Sequence, residues 1–361
     1  MSATCTHCNH QPLHALIEFD GEMLCESCYL HETVICDCCG ERVWIRDCVT
    51  DGDSTICLPC YQEDFVTCDE CGRIVRASDA VYYSESNCYY CERCYEQRRE
   101  DAIHPYGYKP KPVFYGQGTR FFGVELEVDD GGEDCDYAEQ LLSITGKRMY
   151  IKHDGSLDEG FEMVTHPMTL EYHCRDFPWQ ELTQKAVSLG YRSHQTSTCG
   201  LHIHVSRSSL GCTDQQQEDT IARILYFFEE HWNELVRFSR RNSDQLSRWA
   251  GRYGRNDDPK ELINSAKRTF DRYTGVNLTN SDTIEFRIFR GTLRYQTILA
   301  ALQLVDEICR AALVMSDCSI KEMSWSDFVG NLESSVCPEL IEYLKSRRLY
   351  INEAVERQEE L

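Results

Sequence analysis

Six Cys-x-x-Cys pairs crowd the first hundred residues: Cys5/Cys8, Cys25/Cys28, Cys36/Cys39, Cys57/Cys60, Cys68/Cys71 and Cys91/Cys94. Each such knuckle turns two thiolates towards one point, and two knuckles complete a tetrahedral four-sulfur zinc site. Taken consecutively, the pairs give three modules with 16, 17 and 19 residues between knuckles, recurring every 31 to 32 residues. Of the 22 cysteines, 15 precede residue 95. In a long chain whose first residues lack a charged-then-apolar leader, this usage reads as metal sites and not as a disulfide framework. With four protein ligands apiece the sites are structural, since no position is open to substrate. Cys38, Cys48 and Cys88 are left over, Cys38 being an alternative ligand to its neighbour, and His7, His10, His14 and His31 read as surface residues.

Charge narrows the partners. The 361 residues carry a formal net charge of −23, and residues 1–98 hold 18 Asp and Glu against 6 Arg and no Lys. Twelve zinc-bound thiolates would deepen that acidity. Such a surface repels phosphate backbones and anionic membranes and suits a protein partner or a basic peptide, so neither nucleic acid nor membrane is expected. Bracing of the remainder of the chain is an equal reading of the modules. No apolar run is long enough to span a bilayer, and a reducing cytoplasm is the expected compartment.

The segment 99–115 is charged and then proline-bearing (Pro105, Pro110, Pro112), which predicts an extended linker. Beyond it, Arg120–Asp129 alternates: Glu125 and Glu127 share one face of a strand, and Val124, Leu126 and Val128 share the other. Three later segments repeat the design. Phe161–Thr165 carries Glu162; Gly200–Ser206 carries His202 and His204 opposite Leu201, Ile203 and Val205. In Thr283–Arg290, Glu285 and Arg287 oppose Ile284, Phe286 and Ile288, after a turn at Asn280-Ser-Asp282. Carboxylates gathered on one face repel unless a cation joins them, and oxygen-rich groups with an imidazole suit hard divalent ions. Arg287 and Arg290 offer charge for a phosphate or a carboxylate. Apolar spacing predicts helices over Asp136–Thr145, Trp179–Leu189, Asp214–Arg240 and Arg294–Met315, and a helical tail over 321–361. The Arg- and Gly-rich stretch 239–255 reads as a loop that meets an anion. No phosphate-cradling glycine loop or dinucleotide fingerprint is present.

Taken in order, Phe122-Gly-Val-Glu-Leu-Glu127, Asp154-Gly-Ser-Leu157 with Glu162-Met-Val-Thr165, Gly200-Leu-His-Ile-His-Val205, and Val276-Asn-Leu278 with Glu285-Phe-Arg-Ile-Phe-Arg-Gly-Thr292 resemble the amidoligase family, ATP-dependent carboxylate–amine ligases related to glutamate–cysteine ligase and glutamine synthetase. The resemblance covers roughly residues 117–315. It implies an α+β fold, a curved antiparallel sheet backed by helices, in a catalytic domain over 116–320, behind the zinc ribbons of 1–98, whose layout resembles LIM-type knuckles. It also implies ATP and magnesium as cofactors, Glu125, Glu127, Glu162 and Glu285 as magnesium ligands, and His202 or His204 on metal or phosphate. Asn277 would touch nucleotide or substrate, and Arg287 and Arg290 would act on the transferred phosphate or the acid. His166 departs from the small residues expected after Glu162. A bacterial or phage origin is the expectation that goes with the family. Two other readings stand beside it: a non-catalytic adaptor with a degenerate ligase domain, and a metal-dependent hydrolase.

Overall fold

The computed structural model describes residues 4–12, 14–83, 87–254, 259–269 and 272–351. It divides into two compact units, Met1–Arg99 and Glu100–Leu361.

In the first unit the knuckles recur with one local geometry. The residue after each first pair (Asn9, Gly40, Gly72) has a left-handed backbone with φ of 59°, 74° and 71°. Its N–H donates to the carbonyl of the first cysteine at 2.9, 2.9 and 2.8 Å. That tight turn is what aims two sulfurs inwards, and Gly or Asn is what the turn tolerates. Each second knuckle opens a short helix: Glu26–Glu32, Leu58–Asp64 and Glu92–Ala102. The apolar clusters are small and reach forward along the chain. Trp44 packs with Cys5, Leu24 and Cys25, and Ile74 packs with Cys36, Ile56 and Cys57. Trp44 Nε1 donates to Asp20 at 2.9 Å, and the Ile74 N–H donates to Asp51 at 2.7 Å.

The second unit is built on a six-stranded, fully antiparallel sheet. The Phe122–Val128 strand is central, between Phe161–Thr165 and Gly200–Ser206. Met149–Lys152 lies outside Phe161–Thr165, and Thr283–Arg290 followed by the two-residue Val276–Asn277 lies outside Gly200–Ser206. Val124, Leu126, Ile203, Val205, Ile284 and Phe286 are buried, in one core with the helices Asp214–Glu230 and Tyr295–Val314. Alternation thus does what its period requires: one face packs and the other is left for charge.

The structure departs from the expected elements in three places. The helix expected over Asp214–Arg240 breaks at His231 (φ −101°, ψ 28°) into Asp214–Glu230 and Trp232–Ser239. Its buried imidazole packs at a tilt against Phe227 and Trp325, so core packing overrides an unbroken helical period. Within 239–255, the stretch read as a loop, Ser243–Trp249 is a helix with an Asn242/Gln245 capping box; Arg255 lies outside the described residues. Within the expected linker, His104 bridges Lys152 at the sheet's edge and Tyr115 bridges Met168. The C-terminal helices Trp325–Gly330 and Pro338–Ser346 bury Phe328, Val329, Leu340, Ile341 and Leu344 in the main core; residues 352–361 of the expected tail lie outside the described residues.

One buried histidine gives stability a pH dependence. His173 is fully buried; its Nε2 donates to the Phe122 carbonyl at 3.1 Å while Nδ1 meets no partner. Burial drives its pKa from 6.5 down to about 4. Above pH 6.5 the ring is neutral in both the folded and unfolded chain and nothing is lost. Below it, the unfolded chain takes a proton that the folded one refuses, so stability falls between pH 6.5 and about 4, by about 3 kcal/mol. Denaturant midpoints across that range should fall in the wild type and fall less in His173→Gln, which keeps a donor for the carbonyl.

Candidate active site

The polar face of the sheet gathers its charges by register. Glu125 stands opposite His202, and Glu127 opposite Glu162. Lys152 stands opposite Glu162 on the other side, while His204 and Asn277 flank Glu285. Cross-strand neighbours on one face approach within side-chain reach, and the distances follow. His202 Nδ1 lies 3.5 Å from Glu125, 3.8 Å from Glu127 and 3.6 Å from Glu285. His204 Nε2 lies 3.1 Å from Glu125. Asn277 Nδ2 donates to Glu285 at 2.7 Å, and Arg287 Nη1 meets the other Glu285 oxygen at 2.5 Å. Lys152 Nζ is 2.8 Å from Glu162.

Two overlapping groups could each hold a cation: Glu125, His202 and Glu285, and Glu127, Glu162 and His202, with ligand atoms within 4.8 Å of one another. The donor atoms converge without satisfying each other, since His202 Nδ1 and His204 Nε2 are buried and make no hydrogen bond. Electrostatics agree. Burial works to raise the Glu125 carboxyl, but His204 and His202 hold it well below the usual carboxylate range. Burial and then the Glu125 charge push Glu162 well above that range, outweighing Lys152. Carboxylates this close cannot all ionise in a buried site unless positive charge enters.

These groups line a cavity of about 940 Å³. Its wall also includes the Asp154–Ser156 loop of the second motif and residues outside the motifs: Lys152, Arg241, Trp249, Arg272 and Tyr273. Arg241 is buried, its Nε donating to the Phe289 carbonyl at 3.2 Å, and burial lowers its pKa to about 10. The signal for it was the run of arginines at 240–241 in an acidic chain. Asp129 ties the loops of the rim together, accepting from the N–H groups of Asp158 and Glu159 and from the Thr198 hydroxyl.

Of the residues expected in the site, Glu125, Glu127, Glu162, His202, His204, Asn277, Glu285 and Arg287 all line this cavity. Arg290 does not. A register shift between Leu201 and Ile203 sets it opposite Gly200 at the end of its strand, and its Nη2 reaches the Thr196 carbonyl at 3.5 Å.

Gly200 sits where a side chain would intrude. Its N–H donates to Glu127, and a Cβ there would stand 2.6 Å from His202 Nε2 and 2.7 Å from Arg241 Nη2. Those are the ends of side chains, so Gly200→Ala should fold but displace both. Misplacement on that scale costs about a hundredfold in turnover; a wild-type rate with a wild-type melting temperature would show that their positions do not matter.

In the first unit, three groups of four sulfurs converge: Cys5, Cys8, Cys25 and Cys28; Cys36, Cys39, Cys57 and Cys60; and Cys68, Cys71, Cys91 and Cys94. Cys38, Cys48 and Cys88 stand outside them. Cys8–Cys25, Cys39–Cys57 and Cys71–Cys91 sulfurs are 3.8, 4.0 and 3.8 Å apart. A tetrahedron with zinc–sulfur bonds of about 2.3 Å has edges of about 3.8 Å. The thiols also divide: hydrogen bonds from the Cys8 backbone draw Cys5 down to about 6, while burial and neighbouring sulfurs push Cys28 up. Four crowded thiols cannot ionise together without a cation. These sites could hold zinc.

Residues 142–309 match the family model described as putative amidoligase enzyme. The match takes in Glu162, His202, His204, Asn277, Glu285, Arg287 and Arg290; Glu125 and Glu127 lie before it and join the site through strand pairing. None of the curated proteins matches the chain. Among solved structures, a bifunctional glutathione synthetase from Pasteurella multocida aligns at 14% identity and a TM-score of 0.35. That alignment covers 63% of this chain and 46% of that one, a likeness too slight to bear on fold or activity. No helix among the described residues is long and apolar enough to cross a membrane.

Proposed function

We propose that this chain, whose residues 142–309 match the putative amidoligase family model, is an ATP- and magnesium-dependent ligase that joins a carboxylate to an amine through an acyl phosphate. The observation that carries this reading is the convergence of Glu125, Glu127, Glu162 and Glu285 around two imidazoles in one large cavity, with arginine and lysine on the same wall. The donor set is oxygen-rich and fits magnesium better than a softer ion. Glu125, Glu127, Glu162 and Glu285 would hold the magnesium, with His202 or His204 at its edge or against phosphate. When bound, the metal neutralises charge on the transferring phosphoryl group.

The protein's own groups supply the rest. A carboxylate resists attack by an amine because its oxygen leaves poorly. Its oxygen therefore takes the γ-phosphoryl group while the bond to the bridging oxygen breaks and ADP departs. The amine nitrogen then bonds to the acyl carbon, phosphate leaves, and the nitrogen gives up its proton. Arg287, fixed by Glu285 at 2.5 Å and facing the Tyr273 ring, presents positive charge where phosphoryl oxygens gather charge. Arg241 and Lys152 extend that charge along the wall, and Asn277 orients Glu285. A cavity of about 940 Å³ suits a nucleotide with a small second substrate. The acidic zinc modules suit a protein partner or basic peptide.

Incubation with ATP, magnesium and pools of acids, amines, amino acids and peptides tests this. Phosphate release together with a product of the condensed mass is the expected result. Bond cleavage without ATP would point to a hydrolase, and absence of magnesium-dependent nucleotide binding would point to an adaptor.

A further inference from the structure

A second cavity, of about 530 Å³, opens in the same unit and is lined by Arg192, His194, Arg240 and Arg294 among small and apolar residues. No Asp or Glu lines it, in a chain with 60 acidic and 37 basic residues. Arg290 stands behind it. Its charge acts on His194 and Arg240, and its buried Nε meets no hydrogen-bond partner. Among the described residues, Arg240, Arg290 and Arg294 have no carboxylate within 4.0 Å, and Arg192 has only Asp130, at 3.8 Å. Guanidinium groups at a protein surface ordinarily find acidic neighbours when acids are this plentiful. Three of them lining one concavity, with a fourth behind and almost no acid beside them, make an arrangement that lowers its energy by taking in negative charge.

The floor of the cavity is built, not incidental. Tyr191, Ser193 and Thr292 are buried, and a Cβ on Gly291 would stand 2.2 Å from Ser193 Oγ, so the loop and the strand end are pressed together. Burial, followed by Arg240 and Arg290, holds the His194 imidazole at a pKa of about 4. The ring is therefore neutral at ordinary pH and adds a hydrogen-bonding edge without further cationic repulsion.

We propose that this cavity is a binding site for a small multivalent oxyanion, gripped by Arg240 and Arg294 with Arg192 and Arg290 beside them, and distinct from the candidate active site. It shares a wall with that site. Arg240 lines one cavity and Arg241 the other, and the loop that brings His194 to this cavity brings Thr198 to the first. Phosphate and polycarboxylates present the same oxygen chemistry to such a cluster.

Calorimetric titration of the full chain with inorganic phosphate and, separately, with citrate, at fixed ionic strength, tests the site. One saturable component should appear with at least one of the two, and whichever binds more tightly identifies the class. That component should survive Arg287→Ala and weaken about tenfold or more in Arg240→Gln/Arg294→Gln, since hydrogen bonds to charged groups are the strong ones. Arg294 is exposed, so Arg294→Gln alone reads the same loss should the double variant fail to fold. No saturable binding of either anion, unchanged binding in Arg294→Gln, or binding lost with Arg287→Ala would each overturn the assignment.

Discussion

Glu125→Gln is expected to reduce substrate-dependent ADP release by about 10²- to 10³-fold, the scale of losing one group that stabilises developing charge. The side chain sits at the middle of the sheet's polar face, within reach of both His202 and His204. Gln keeps its shape and removes its charge, so magnesium affinity should fall together with turnover. The fold should not suffer. The packing residues Val124 and Leu126 point the other way, and one fewer buried carboxylate relieves Glu162, so the melting temperature should hold or rise. Undiminished turnover in a folded Glu125→Gln chain would reject the assigned chemistry. Unchanged magnesium affinity with lost turnover would move Glu125 from metal ligand to another role.

Cys36→Ser should produce the largest structural effect. A structural zinc contributes about 10–16 kcal/mol to the small domains that bind it, and the central module has little else. Its cluster is Cys36, Ile56, Cys57 and Ile74, two of these being ligand cysteines themselves. Metal analysis should find two zinc ions per chain in place of the three that the three four-cysteine groups can hold. Amide exchange should accelerate over residues 36–60 in particular. The melting of the second unit should stay put, because its core draws on no residue before Ala102 and none of residues 36–60. Retention of three ions would mean that Cys38, exposed in the same knuckle, replaces its neighbour.

Much of the site is written in alternation. Glu125 and Glu127, His202 and His204, and Glu285 with Arg287 each announce a polar face because a strand repeats every second residue. The sulfur groups are equally plain, since spacing alone pairs consecutive knuckles. Local pattern does not state which strand lies beside which. Only the pairing of Glu125 with His202, and of Glu127 with Glu162, gathers the separate motifs into groups that could share a cation. Arg241 is legible only as part of a basic stretch: nothing near it in sequence marks the Phe289 carbonyl that fixes its direction. Arg290 stands in one motif with Arg287, yet a register shift between Leu201 and Ile203 intervenes, and no local pattern announces it. The break at His231 was invisible to helical spacing because Phe227 and Trp325, distant along the chain from one another, decide it together.

The bridge made by His104 bears on how this molecule can associate. Its N–H donates to Ile151 at 2.9 Å and its carbonyl accepts from His153 at 2.8 Å, which blocks the outer margin of Met149–Lys152. The opposite margin is Val276–Asn277, only two residues long. Bare ladders invite other chains to add strands, and both margins of this sheet are kept short or bridged. A strand from another chain added beside Met149–Lys152 would first require residue 104 to let go.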